Sequence, residues 1–150
     1  MPLTLGRITV ATDGSAHGEE AVRYAIDLTL KYSAQLSIIA VAPLVALYST
    51  TTEPWIPPAI PEGEVDRYRQ VVDAAVAQAE TAGVTSVTGV CLEGVVVDEI
   101  LSHVDAHPPD LLILGSRGLS TAKRLFVGST SEAVLHQVKV PVLLVRRRVQ

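Results

Sequence analysis

The chain predicts a three-layer α/β fold, an open five-stranded parallel sheet with helices on both faces. Two observations carry that expectation. Five strand-like segments alternate with segments of helical periodicity, and no internal repeat is visible. The strand-like segments are also near-continuous apolar runs, such as Leu111-Leu112-Ile113-Leu114, which suits strands buried on both faces. Strict alternation implies right-handed crossovers and parallel pairing.

Each element has its own signal. Residues 7–12 are a short apolar strand, and Asp13-Gly14-Ser15 is a turn in which Ser15 can cap the next helix. That helix is expected over 17–33, with Ala21, Ala25, Leu28 and Tyr32 as its buried stripe. Residues 35–42 are the second strand. Residues 43–61 then carry five prolines and Trp55, so no regular element persists there. Two readings of this insert stay open, a mobile surface loop or a segment that closes over a ligand, with Trp55 either packing locally or stacking on a base.

The longest helix is expected over 62–82, with Val65, Tyr68, Val72, Ala75, Val76 and Ala79 inward and Gly83 ending it. Residues 85–92 form the third strand. Residues 96–106 form a third helix with Ile100, Leu101 and Val104 inward, stopped by Pro108-Pro109. The fourth strand is 110–114, the last helix 129–138 and the fifth strand 140–146.

Bulk properties narrow the function classes. A chain of 150 residues is one domain's worth, and 48% hydrophobic against 19% charged residues describes a folded globule. The net charge of −4 argues against nucleic acid or an anionic membrane as partner. Cys91 is the only cysteine, so no internal disulfide forms, and its apolar neighbours predict a buried, inert thiol. With no signal peptide or spanning run visible, the expected location is cytoplasmic.

The most informative stretch is Gly115-Ser116-Arg117-Gly118, then nine residues, then Gly128-Ser129-Thr130-Ser131. It joins the end of a strand to the start of a helix. Glycines admit close backbone approach, and a helix start offers unpaired N–H groups and a positive dipole end to an anion. The generic phosphate fingerprints do not fit. A P-loop needs a lysine after its last glycine, where this chain has Ser129, and a G-x-G-x-x-G turn is absent after the first strand.

The spacing G-x-x-G-x9-G-[ST] resembles the ATP-binding motif of the universal stress protein family. The opening Ile8-Thr9-Val10-Ala11-Thr12-Asp13-Gly14-Ser15 is similar to that family's first strand and turn. The ending Val140-Pro141-Val142-Leu143-Leu144-Val145-Arg146 is similar to its last strand. The likeness spans nearly the whole chain. It implies a Rossmann-like (adenine nucleotide α-hydrolase-like) sheet of order 3-2-1-4-5 and a homodimer joined through that last strand, whose apolar edge would otherwise be uncovered.

The resemblance also implies ATP, or another adenine nucleotide, bound where the strand order reverses. Thr12 and Val41 would hold the adenine, Ala11 would flank the same crevice, and Asp13 would lie near the ribose and the metal-bound phosphates. Gly115, Arg117, Gly118, Gly128, Ser129, Thr130 and Ser131 would surround the phosphates. Gly128 can take a dihedral closed to other residues while presenting its N–H. Arg117, Lys123 and Arg124 would offset phosphate charge. Asp13 is the nearest carboxylate for the Mg2+ or Mn2+ that accompanies a triphosphate. The plainer alternative makes Gly115 and Gly128 turn glycines and Ser129 an ordinary cap.

Other constellations carry less. His103 and His107 have the i, i+4 spacing of a metal pair, but no cysteine or third histidine nearby completes a site. His136 has no Ser-Asp partners, and Glu93 and Glu99 are not paired as in a glycosidase. No catalytic residue is assigned. Three functional readings stay open: an ATP-binding regulatory homodimer, a slow ATPase or nucleotide α-phosphate-acting enzyme on the same scaffold, or an interaction protein that binds no nucleotide.

Overall fold

The computed structural model describes residues 2–45, 57–116 and 128–147. The apolar runs form β1 (Arg7–Ala11), β2 (Gln35–Pro43), β3 (Val87–Gly94), β4 (Leu111–Gly115) and β5 (Val142–Val145). All pair in parallel, in the order β3-β2-β1-β4-β5. The helices are α1 (Ala16–Tyr32), α2 (Glu64–Ala82), α3 (Val96–Ala106) and α4 (Ser129–Gln137).

Successive strand residues point to opposite faces, so a run such as Ile38-Ile39 feeds two cores. Ile38 packs with Ile8, Val10, Ala21 and Ala25 on the α1 side, whereas Ile39 packs with Ile100, Val104, Leu112 and Val134 under α3 and α4. Ala40 and Ala42 meet Tyr68 and Val72 of α2. Truncating Ile38 or Ile39, both fully buried, costs about 2–5 kcal/mol.

The expected caps are found at two helix ends. The Ser15 hydroxyl accepts the Gly18 N–H at 3.2 Å at the start of α1. Gly83, at φ 106, ends α2 in a left-handed turn that a side chain would strain. Element bounds differ from expectation by up to two residues. The fifth strand is shorter, with Arg146 outside it.

Asp110 precedes β4 rather than joining it. Its carboxylate accepts the Gly6 and Arg7 N–H groups at 2.8 and 2.9 Å, tying the start of β4 to that of β1.

The buried stripe of α1 is Ala21, Val22, Ala25, Ile26 and Thr29, so the expected place of Tyr32 in it is corrected. Tyr32, the last residue of α1, is 40% exposed, although Thr29 in the same turn is buried. Cys91 is half-buried rather than buried. Burial pushes its thiol pKa up, as an unreactive thiol requires. Val45 and Ala59 exchange backbone hydrogen bonds of 2.9 and 3.1 Å, closing the two stems of the proline-rich insert. Trp55 lies outside the described residues. No helix among the described residues is long and apolar enough to cross a membrane.

Candidate functional site

The strand order places β1 between β2 and β4, so three strand ends meet at one crevice. The turn after β1 is held internally. The Thr12 N–H donates to the Ile39 carbonyl at 2.9 Å, Thr12 Oγ1 accepts the Gly14 N–H at 3.2 Å, and Asp13 Oδ1 accepts the Ser15 N–H at 2.9 Å. Gly18 then passes over this turn. A Cβ there would sit 2.6 Å from Thr12 Oγ1 and 2.8 Å from Asp13 Oδ1, so the close fit depends on glycine.

The end of β4 is fixed as tightly. A Cβ on Gly115 would lie 2.9 Å from the carbonyl carbon and oxygen of His17 in α1. The Ser116 N–H donates to the Val145 carbonyl at 2.8 Å, extending the β4–β5 pairing. The chain then returns: the Gly128 N–H donates to the Ser116 carbonyl at 2.6 Å, and Ser131 Oγ donates to the Gly115 carbonyl at 2.7 Å. These two bonds bring the start of α4 against the end of β4, so the halves of the glycine motif meet.

Between them lies a cavity of about 280 Å³. Ala11, Thr12 and Asp13 line it from the β1 turn, Val41 from β2, Gly115 from β4, and Gly128, Ser129, Thr130 and Ser131 from α4. Arg117 and Gly118, with Lys123 and Arg124, lie outside the described residues. The β2 side of the cavity is apolar, with Ala40, Val41, Val96 and Ile100. The β4 side presents glycines and hydroxyls.

Two expectations about this site are corrected. Gly128 has φ −57 and ψ 151, a conformation open to any residue, and its N–H is already bonded to Ser116. The Ser131 hydroxyl likewise spends its proton on Gly115. What remains for an anion is the helix end itself. Among the described residues no side chain caps α4. The N–H groups of Ser129, Thr130 and Ser131 stand in its first turn, where no intrahelical acceptor exists. Gly115, in turn, is needed for packing against α1.

Six lining residues were missed in the sequence: Gly18, Ala40, Tyr68, Val96, Ile100 and Leu114. A glycine in the first turn of a helix was the available signal for Gly18. Tyr68 reads as an ordinary core position of α2, and nothing local marks it as cavity lining. It is 5% exposed, and burial, partly opposed by Arg67, raises its phenol pKa. The phenol therefore stays protonated and able to donate. The Arg67 guanidinium lies 4.5 Å from the ring centroid and forks onto Glu64 at 3.0 and 3.1 Å.

The remaining expected residues lie elsewhere. His136 faces Glu132 at 3.8 Å, and neither Glu93 nor Glu99 lines the cavity. His103 and His107 occupy the far end of α3. Burial, and then the neighbouring His107, hold His103 below the ordinary imidazole range.

The sequence model of the universal stress protein family matches residues 4–146. The chain belongs to the universal stress protein family. It is similar to universal stress protein YxiE of Bacillus subtilis (strain 168), at 31% identity over 148 residues covering 93% of this chain and 98% of that one. Among solved structures it is similar to a universal stress protein in complex with cAMP. That match has 25% identity and a TM-score of 0.71, covering 96% of this chain and 98% of the other. The hypothetical protein MJ0577 shares the fold, with a TM-score of 0.77 at 18% identity over 99% of this chain and 100% of the other.

Proposed function

We propose that this universal stress protein is a one-domain, ATP-binding regulatory module that works in the cytoplasm as a homodimer. One observation carries the nucleotide reading. Residues far apart in sequence, Thr12-Asp13 and Gly128 to Ser131, line one cavity whose polar wall is a helix start that no described side chain caps. A relative of 25% identity in complex with cAMP supports an adenine nucleotide as the ligand. The cavity is close to the about 300 Å³ at which small-ligand sites begin.

In this reading the base lies among Ala11, Val41, Val96 and Ile100, where apolar side chains cover its faces. Asp13 stands beside the ribose and the metal-bound phosphates, its Oδ1 steadied by Ser15. The phosphates meet the first turn of α4, whose N–H groups and dipole favour negative charge. Arg117 and Gly118 follow β4 directly in sequence and supply charge and close approach. A Mg2+ or Mn2+ ion binds through the phosphates and the Asp13 carboxylate, a hard cation on oxygen donors. The homodimer forms through β5, an outer strand whose described partner is β4 alone.

Gly128→Val tests the reading. The backbone at 128 admits valine, so the apo protein should lose no more than about 1 kcal/mol of stability, the scale of a helix-cap change. Calorimetric titration of nucleotide-stripped wild type with ATP should give saturable heat that the variant lacks. Equal binding by both proteins would remove the phosphates from this helix end.

A further inference from the structure

A second cavity, of about 480 Å³, opens at the amino ends of the strands beneath the last turn of α3. The sheet face that α3 covers is apolar toward the strand ends, at Ala11, Val41 and Leu92. Farther back along the strands it becomes polar. Thr9, Ser37 and Thr88 stand in register across β1, β2 and β3, and Arg7 and Gln35 pair in the row below. With a side-chain period of two, these rows share one face. His103 and His107 close the cavity from above.

We propose that this polar shelf is a transition-metal site in which the His103 and His107 imidazoles chelate one divalent ion, with shelf oxygens and water completing its shell. The proposal is independent of the nucleotide reading. A zinc or copper ion sits about 2.0–2.1 Å from an imidazole nitrogen, hence about 3 Å from the ring centroid, so one ion can reach two rings whose centroids lie within about 6 Å. The two centroids are 5.0 Å apart, and the planes are tilted by 45° rather than stacked. An ion about 3 Å from both centroids at that separation would subtend roughly 105–110°, near the tetrahedral value, once each ring turns a nitrogen toward it.

The helix dipole favours a cation at this place. The rings lie at the carboxyl end of α3, the negative end of its dipole. The His107 N–H donates to the His103 carbonyl at 2.9 Å, which holds the two residues one turn apart. Among the described residues Arg7 is the one fixed charge lining the cavity, and its positive sign opposes a cation, so the binding must come from the neutral imidazoles. No third histidine, cysteine or carboxylate joins the pair among the described residues. The site is therefore open and exchangeable, and copper(II) should bind tightest among the divalent ions that imidazole accepts.

The test is titration of the purified full chain with copper(II), read by electron paramagnetic resonance. The chain has four histidines, at 17, 103, 107 and 136. Wild type and His136→Gln should show one bound ion with two nitrogen donors, and His103→Gln/His107→Gln should lose that signal. Should the double variant fold poorly, copper added to 15N-labelled wild type should broaden the amides of residues 103–107 and Thr88 first. A copper signal unchanged in the double variant, no bound copper in wild type, or broadening centred on His17, His136 or the amino terminus would overturn the assignment.

Discussion

Gly115→Ala is the sharpest perturbation the structure offers, because the new methyl would meet backbone rather than a movable side chain. Its Cβ would lie 2.9 Å from the His17 carbonyl carbon and oxygen and 3.2 Å from the Gly18 nitrogen. Relief requires α1 and the end of β4 to separate, an overpacking strain of about 1–3 kcal/mol. For 150 residues each kcal/mol lowers the melting temperature by about 2–4 °C, so the variant should melt about 2–12 °C below wild type. The same separation displaces the Gly115 carbonyl that Ser131 holds, and nucleotide affinity should fall with stability. Gly63→Ala is the control. Nothing lies within 4 Å of its Cβ, so its cost is the strain of φ +82 alone, about 1–2 kcal/mol, with nucleotide binding intact. Differential scanning calorimetry gives the stability cost of each variant, and calorimetric nucleotide titration separates Gly115→Ala, which should lose affinity, from Gly63→Ala, which should keep it. Wild-type melting and wild-type affinity in Gly115→Ala would refute this account of the β4–α1 contact.

Three further outcomes follow from the same geometry. Ser131→Ala leaves the Gly115 carbonyl without its 2.7 Å partner beside a buried position and should cost about 1–3 kcal/mol in urea unfolding; an unchanged midpoint would contradict that role. His103 has a folded pKa below its unfolded value of 6.5, so the unfolded chain binds more protons, and stability is complete above about pH 6.5 and declines as pH falls through that value. His103→Gln should soften this acid loss, and identical pH profiles for the two proteins would exclude His103 as its source. Val142→Lys places a charge on the outer strand, and sedimentation should show a dimer in wild type and a monomer in the variant; a dimer that persists moves the interface elsewhere.

The sheet was legible because parallel strands buried on both faces must be apolar throughout, as Ile38-Ile39 and Leu111 to Leu114 are. The positions of Asp13, Gly115 and Gly128 around one crevice followed from strand order, which rests on family likeness rather than on local propensity. The reasons for individual glycines were not legible. Gly115 is required by the backbone of His17, 98 residues earlier in the chain, and no local pattern reports such a neighbour. Gly128 was read as a conformational necessity, yet its φ of −57 is ordinary. Tyr68 was hidden because a tyrosine on the inner face of a helix looks alike whether it meets core or cavity. Tyr32 failed for a related reason: periodicity gives direction around a helix axis but not what packs against the residue at the helix end. The shelf under His103 and His107 needs the registers of three strands at once, which sequence alone does not supply.

A crystal structure of the protein grown with ATP and Mg2+ tests the central claim most directly. Density should fill the cavity, with the base between Val41 and Ile100 and phosphate oxygens on the N–H groups of Ser129 to Ser131. Nucleotide found elsewhere on the protein, or that cavity filled by the chain's own side chains, would contradict it.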